Sequence, residues 1–302
     1  FGYCVDIYDD VIAIGSVYDD DMGEDSGSVY IYRLENDQWN LESKLLSDTQ
    51  EEGDFFGATL SLNSNIIAVG AVYDDVMGSN SGSVSLFSYD DNTWSETEKI
   101  VAFDGMEYDL FGNAIDLNNS RLIIGAFHDN NSYQNSGSVY VYDINQNNQV
   151  DLIDKITAFD EALNDNFGQS VAIYEHYFSV GSLNDDNGLN SGAVYLYDID
   201  DEFNEIKYIP DDGAQYDEFG GAISLYENTI LVGSQHSDDS AGSAYLANII
   251  GCPDNDACNY SVDLWSDEFV CEYSIDNFDC DGSCYEDIDE CDVCGGAGVS
   301  GD

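Results

Sequence analysis

Aspartates, mostly in pairs, recur in this sequence four or five positions after the glycine of a Gly-Ala or Gly-Ser dipeptide. Ca²⁺ binds clustered carboxylate oxygens in proteins, so these acids are candidate calcium ligands. The candidates in this pattern are Asp19, Asp20, Asp74, Asp75, Asp129, Asp185, Asp186, Asp238 and Asp239. Because the chain contains 62 Asp and Glu residues, a solvated acidic surface without bound metal is the alternative interpretation.

A second set of residues stands three positions after the same glycines, one in each repeat of the pattern. We predict that this set lines a ligand-binding face, and its members are Tyr18, Tyr73, His128, Asn184 and His236. The alternative is a rim of ordinary packing residues, since Tyr and His are often half-buried.

The sequence offers no recognisable catalytic set. It has only three histidines, and the motifs of serine hydrolases, zinc proteases and phosphate loops do not occur. We therefore predict that the protein is not an enzyme. A hydrolase that uses two carboxylates is the weakest of our alternatives. Such a pair is defined by its separation in space, so nothing in the sequence favours any one pair.

Composition restricts the class of protein further. The chain has 302 residues, 43% of them apolar, and a formal net charge of -56, so it can bury a core but repels nucleic acid. It has no apolar run of about 18 residues, so we predict no membrane insertion by this segment. Salt or divalent cations would screen the charge, which favours an extracellular setting.

The elements that position these residues repeat with a period of about 55 residues. Phe-Gly pairs end at Gly2, Gly57, Gly112, Gly168 and Gly220. Each unit contains four strand-like segments, for example "FGATLSL", "NIIAVGA", "GSVSLF" and "WSETEKIV". We predict an all-β fold, a β-propeller with at least five four-stranded blades, in which glycines and small residues such as Cys4 allow close backbone packing.

Four of the six basic residues also follow the repeat. They are Lys44, Lys99, Lys155 and Lys207, each in the predicted fourth strand of a unit. We expect each lysine to pair with neighbouring carboxylates.

Together, the Phe-Gly pair, the Gly-Ala or Gly-Ser dipeptide and the Gly-x-Val-Tyr segment resemble the FG-GAP repeat, the blade of integrin α-chain propellers. The resemblance covers about residues 1 to 250 and implies a propeller used in adhesion or ligand binding. Integrin-type blades bind calcium through an Asp-x-Asp-x-Asp-Gly loop between their first two strands. This chain has only short turns there, such as "NSN" and "NNS", so that site is not expected, and the repeats are more similar to the short-loop bacterial form.

We place a propeller at residues 1–250 and a small Cys-rich module at 251–302, and we expect both to be truncated. Seven cysteines in the module are predicted to form disulfides in an oxidising compartment, with zinc binding as the alternative. They are Cys252, Cys258, Cys271, Cys280, Cys284, Cys291 and Cys294. The module resembles Cys-rich modules of secreted marine microbial proteins.

The module also adds candidate calcium ligands, since its acidic segment loosely resembles thrombospondin type 3 repeats. These candidates are Asp276, Asp279, Asp281, Asp287 and Asp289. Asn-x-Ser sequons make Asn118, Asn130 and Asn259 candidate glycosylation sites.

We predict an extracellular adhesion or recognition propeller on a cell, virion or appendage surface, which presents an acidic, calcium-binding loop face to a protein or glycan partner. The alternative is a structural subunit of an extracellular filament or coat that contacts copies of itself.

Overall fold

The protein is described by a computed structural model that covers residues 1–185, 190–199, 203–210, 212–237 and 241–249. Within these ranges the regular structure consists of β-strands in five antiparallel sheets. These ranges contain no helix that is long and apolar enough to cross a bilayer.

Each sheet corresponds to one repeat and is called a blade. Blade 1 comprises β1 (Val5–Tyr8), β2 (Val11–Ser16), β3 (Ser28–Glu35) and β4 (Gln38–Leu45). Blade 2 comprises β5 (Phe56–Leu62), β6 (Ile66–Ala71), β7 (Ser83–Asp90) and β8 (Thr93–Ile100). Blade 3 comprises β9 (Ile115–Asn118), β10 (Arg121–Ala126), β11 (Ser138–Ile144) and β12 (Val150–Ile156).

The last two blades follow the same order. Blade 4 comprises β13 (Phe167–Tyr174), β14 (Tyr177–Ser182), β15 (Ala193–Asp198) and β16 (Asn204–Tyr208). Blade 5 has three strands in the described residues, β17 (Phe219–Tyr226), β18 (Thr229–Ser234) and β19 (Ser243–Asn248). Strands pair with their sequence neighbours in every blade, which is the blade topology of a β-propeller, so the predicted all-β fold is confirmed.

The chain divides into two units. The first, Phe1–Glu227 with Leu231–Tyr245, contains the loops and blade contacts that carry the candidate site. The second, Asn228–Ile230 with Leu246–Asp302, lies mostly outside the described residues.

The Phe-Gly pair forms the contact between one blade and the next. In blade 2 the Phe56 ring is fully buried, while Phe56 N donates to Ser26 O of blade 1 at 2.9 Å. Gly57 follows with φ of +90°, at a point where the pairing of β5 with β6 shifts register. A β-bulge with positive φ is a position that glycine fills without strain.

The glycines of the second strands are required because the next blade lies against them. A Cβ atom on Gly15 would lie 2.1 Å from the carbonyl oxygen of Gly57, and one on Gly125 would lie 2.2 Å from that of Gly168. Side chains of the first strands complete this contact, since Thr59 Oγ1 donates to Gly112 O at 2.6 Å. The close packing expected from glycine is therefore packing between consecutive blades.

Apolar side chains fill the space between consecutive blades. One cluster joins blade 2 to blade 3 and includes Leu86, Phe111 and Leu122, all almost fully buried. Full burial of one such side chain stabilises the fold by about 1.5–3 kcal/mol. The core is therefore shared by neighbouring blades, and each blade depends on the next.

Candidate functional site

Two sets of loops meet at one end of the blades. Because successive strands are antiparallel, the loop between the second and third strand of a blade opens at the same end as the loop that links it to the next blade. Hydrogen bonds join the two sets, as in Tyr108 N to Ser79 O at 2.7 Å and Asn164 N to Gln134 O at 2.9 Å. We call these the 2–3 loops and the linking loops, and the surface that they form the loop face.

In blades 1 to 4 the first aspartate of the candidate calcium ligands binds a lysine beneath the loop face. In blade 3, Lys155 Nζ lies 2.6 Å from Asp129 Oδ2 and 2.7 Å from Asp104 Oδ2 of the linking loop. The Tyr140 hydroxyl lies 2.7 Å from Asp104 and 3.1 Å from Asp129. Burial lowers the pKa of Lys155, but the two carboxylates outweigh that effect and raise it above its usual value.

Blade 4 repeats this arrangement. Lys207 Nζ lies 2.6 Å from both Asp160 and Asp185, and the Tyr195 hydroxyl contacts the same two carboxylates. Burial and then the charge of Asp185 raise the pKa of Tyr195 above its usual value, so this hydroxyl stays protonated. The predicted pairing of lysines with carboxylates is thus present in both blades.

Blades 1 and 2 vary the third member of the cluster. Lys44 lies 2.7 Å from Asp19 and 2.6 Å from Asp21 of the same loop. Lys99 contacts Asp74, and Thr49 of the linking loop replaces a carboxylate, with its Oγ1 2.9 Å from the ammonium.

An ammonium group therefore holds the first aspartates of blades 1 to 4. Asp74 also accepts from Ser83 Oγ at 2.7 Å, so its oxygens are already bonded within the protein. These four aspartates do not suit a Ca²⁺ site, which needs several oxygen ligands around the metal. Among the described residues, no group of three or more acidic, His or Cys side chains is arranged to hold a metal ion.

In blades 1 and 2 the second acid of the pair shapes its own loop. Asp20 Oδ1 accepts from Asp25 N at 2.9 Å, and Asp75 Oδ1 accepts from Asn80 N at 2.7 Å. Calcium binding by these acids stays a prediction. The remaining candidates lie outside the described residues, namely Asp186, Asp238, Asp239, Asp276, Asp279, Asp281, Asp287 and Asp289.

In the fifth repeat the acidic pair comes one position later in the sequence, and Ser237 stands four positions after Gly233, as Asp74 does after Gly70. Ser237 occupies the position of the buried aspartates, because Gly242 N donates to Ser237 O at 3.0 Å, as Gly82 N does to Asp74 O at 2.9 Å. Ser237 is buried. The equivalent of Asp74 in this repeat is thus a serine.

The aspartates of the Asp-x-Phe-Gly motif lie beside these clusters and cap the linking loops. Asp109 Oδ2 accepts from Met106 N at 2.6 Å, and Asp54 Oδ2 accepts from Glu51 N at 2.7 Å. Both are buried, and burial raises the pKa of each to about 6. The folded protein therefore takes up these protons before the unfolded chain does as pH falls.

The predicted ligand-face residues lie along the loop face, and the x residue of Asp-x-Phe-Gly lies among them. In blades 1 and 2, the Phe55 ring packs edge-on against Tyr18 and Tyr73, with centroid distances of 5.4 and 5.0 Å. Tyr18 is 62% exposed. The structure thus forms an aromatic row from residues of two blades.

The other three ligand-face residues have polar surroundings. His128 and Asn184 line one pocket at the contact between blades 3 and 4. Burial lowers the pKa of His128, which keeps its ring neutral. His236 is exposed, and its Nδ1 lies 2.7 Å from Glu218 Oε2.

The loop face also exposes large apolar side chains. The exposed apolar side chains of this face belong to the 2–3 loops and the linking loops. Those at least 43% exposed include Met22, Val76, Met77, Phe103, Met106, Tyr108, Tyr133, Phe159, Leu163 and Tyr216. Exposed apolar side chains grouped on one surface are typical of interaction sites.

Two of the predicted glycosylation sites and one cysteine can be placed. Asn130 is exposed in a 2–3 loop, and Asn118 Oδ1 accepts from Glu175 N at 3.2 Å. Cys4 is a free thiol that donates to Gly57 O at 3.0 Å. Asn259 and the seven cysteines from Cys252 to Cys294 lie outside the described residues.

Sequence reasoning missed the residues of the linking loops that complete the site. Asp104 and Asp160 share the lysines, and Phe55 joins the aromatic row. Aligning the repeats would have found them, because Asp104 and Asp160 both stand five positions before the aspartate of Asp-x-Phe-Gly.

The repeated Phe-Gly contacts between blades and the order of the strands define a β-propeller. Its loop face carries polar and aromatic side chains. A family model described as the FG-GAP repeat matches residues 1–32, 39–87, 94–142, 151–197 and 203–247. The chain therefore belongs to the FG-GAP repeat family. A search of curated proteins found no match.

Members of this family are commonly extracellular or surface-associated recognition proteins, and they are typically not enzymes. The narrower statement that this chain has no enzymatic activity stays a prediction.

Proposed function

We propose that this protein is an extracellular recognition or adhesion propeller that binds a protein or glycan partner through its loop face. The exposure of large apolar side chains on the loop face carries the proposal. Met77 and Met106, for example, are 43% and 58% exposed, although neither is needed to fill the core.

The charge distribution adds to this argument. The lysine clusters hold part of the acid beneath the surface, while acids such as Asp20 are exposed. With a net charge of -56, the face favours neutral or cationic partners and disfavours anionic ones. Calcium would screen the remaining acids, and calcium dependence is the second part of the proposal.

Retention of protein-coated beads on surfaces tests the proposal. Beads carrying the full chain are passed over surfaces coated with extracellular matrix proteins or with neutral glycans, in calcium and again in EDTA. We expect retention by the native protein and a loss of most of it in the double variant Met77→Ser/Met106→Ser.

Leu41→Ser is the matched control, because Leu41 is 56% exposed but lies on β4, away from the loop face. Equal loss in this variant, or no retention on either class of surface, would contradict the proposed function. Unchanged retention in EDTA would remove only the calcium part.

A further inference from the structure

A pocket whose described lining residues are uncharged lies at the contact between blades 3 and 4, on the loop face of this strongly acidic protein. Its volume is about 510 Å³, and the described residues that line it are His128, Asn135, Leu163, Asn164, Asn166, Asn184 and Asn190. Sites for small ligands usually measure about 300–1,000 Å³. The neutral lining differs from that of the pocket at the contact between blades 1 and 2, where Glu51, Asp54, Asp74, Asp75 and Lys99 are lining residues.

Backbone conformation explains only two of these four asparagines. Asn135, Asn164, Asn166 and Asn190 have positive φ, and asparagine tolerates that conformation well. The positions equivalent to Asn135 and Asn190 hold Asp25 and Asn80 in other blades, but those equivalent to Asn164 and Asn166 have the same conformation with other residues, namely Phe55, Tyr108, Leu110, Tyr216 and Glu218. The turn of the linking loop therefore accepts aromatic, aliphatic and acidic side chains, and the amides of Asn164 and Asn166 need another reason.

The amides are held in place by each other. Asn135 Nδ2 donates to Asn164 Oδ1 at 3.0 Å. With the Asn166 amide nitrogen facing the carbonyl oxygens of Asn164 and Asn135, its Oδ1 accepts from Asn184 Nδ2 at 3.1 Å. A side-chain amide has two N–H donors and two acceptor lone pairs, so these bonds orient the groups and leave capacity for a ligand.

The remaining walls indicate the chemistry of that ligand. A neutral imidazole has one donor and one acceptor, and one nitrogen of His128 bonds the Tyr108 backbone, which leaves the other for a ligand. Leu163, which is 56% exposed, offers an apolar surface. No described lining residue supplies a counter-charge, so an ionic ligand would lack a partner. Neighbouring hydroxyls that both donate and accept match paired amides, and an apolar wall suits the C–H face of a sugar ring.

We propose that this amide pocket binds a neutral sugar unit. The inference rests on the proposed recognition function and names the ligand class of one part of the loop face.

Ligand-observed NMR on the full chain tests it. The probes are the methyl glycosides of glucose, galactose, mannose and N-acetylglucosamine, each raised to about 10 mM, since single sugars bind with dissociation constants near the millimolar range. N-acetylglycine methylamide serves as a peptide-like probe. We expect saturation transfer to at least one glycoside and none to the peptide probe.

The variant Asn166→Leu removes one amide without changing the turn, because Leu110 occupies the equivalent position of blade 3 with φ of +58° against +59° for Asn166. We expect binding to weaken at least tenfold with an unchanged melting temperature. The matched control Leu110→Asn makes the reverse change at the neighbouring contact and should bind the glycoside like the native protein.

Three results would overturn the inference. They are no binding of any glycoside, full binding by Asn166→Leu, and preferential binding of the peptide probe. If the beads are retained on surfaces while glycosides do not bind, the sugar pocket fails and the recognition function stands. If glycosides bind through Asn166 while the beads are not retained, the recognition function fails and the sugar pocket stands.

Discussion

Replacing Gly125 with alanine measures how strongly consecutive blades depend on close backbone approach. The added Cβ would lie 2.2 Å from Gly168 O, whereas ordinary contacts begin at 3.4 Å, so the two backbones must separate by roughly 1.2 Å. Overpacking a core costs about 1–3 kcal/mol, and here rigid backbone must move, so we expect a loss of about 3 kcal/mol.

Gly233→Ala is the matched control. Gly233 holds the same position in blade 5, but among the described residues its added Cβ would meet nothing closer than the Ala222 Cβ at 3.6 Å. Neither glycine has a positive φ, so the effect of alanine on the unfolded chain is the same in both variants. That effect stabilises by about 0.4–1 kcal/mol, and we expect Gly233→Ala to be neutral or slightly stabilising.

Urea denaturation followed by circular dichroism, at fixed salt and calcium, provides the measurement. For a domain of this size, 1 kcal/mol corresponds to about 2–4 °C in melting temperature, so Gly125→Ala should melt roughly 6–12 °C lower. Equal stabilities of the two variants would refute the inference that glycine is required by the neighbouring blade.

Three further predictions concern buried polar groups. Lys155→Met leaves Asp104 and Asp129 without their cation. Breaking a buried pair costs about 3–5 kcal/mol, and because this pair is partly exposed we expect a loss of about 2–4 kcal/mol in the free energy of unfolding. A loss below about 1 kcal/mol in urea denaturation would contradict this prediction. Because the folded-state pKa of Asp109 is raised to about 6, its contribution to stability is present near pH 4 and is lost as pH rises through 6. Asp109→Asn should therefore flatten the fall in melting temperature between about pH 4 and 6, and an unchanged slope would contradict this. Burial raises the pKa of Cys4 to about 12, so iodoacetamide at pH 8 should label this thiol only after denaturation, as peptide mass spectrometry would show; rapid labelling of the native protein would contradict it.

Repetition made the fold predictable. Five in-phase Phe-Gly pairs and strand-like segments between them identify the blades, because each blade must solve the same packing problem with the same residues. The pairing of Lys44, Lys99 and Lys155 with carboxylates could also be predicted, since four of only six basic residues follow the period.

The roles of individual acids could not be predicted in this way. Asp19 and Asp20 are adjacent in the sequence, yet Asp19 contacts a lysine and Asp20 caps a loop. Both are aspartates in an acid-rich chain, and only the direction of each side chain separates them.

Only some of the residues that line the pocket between blades 3 and 4 could be singled out from the sequence. His128 and Asn184 belong to the predicted ligand face, whose role stays a prediction, but Asn164 and Asn166 look like ordinary turn residues. Their meeting depends on contacts between residues of two blades, which periodicity within one repeat does not reveal.

The positive-φ positions of the loop face have an evolutionary consequence. The backbone at the x position of Asp-x-Phe-Gly is the same for Phe55, Leu110, Asn166 and Glu218, while the phenylalanine and glycine that follow hold the blades together. Selection can therefore exchange the surface residue without disturbing the phenylalanine and the glycine that follow it directly. Within one polypeptide, each blade contact can acquire its own specificity, so gene-level duplication of a single repeat yields several independently variable contact points.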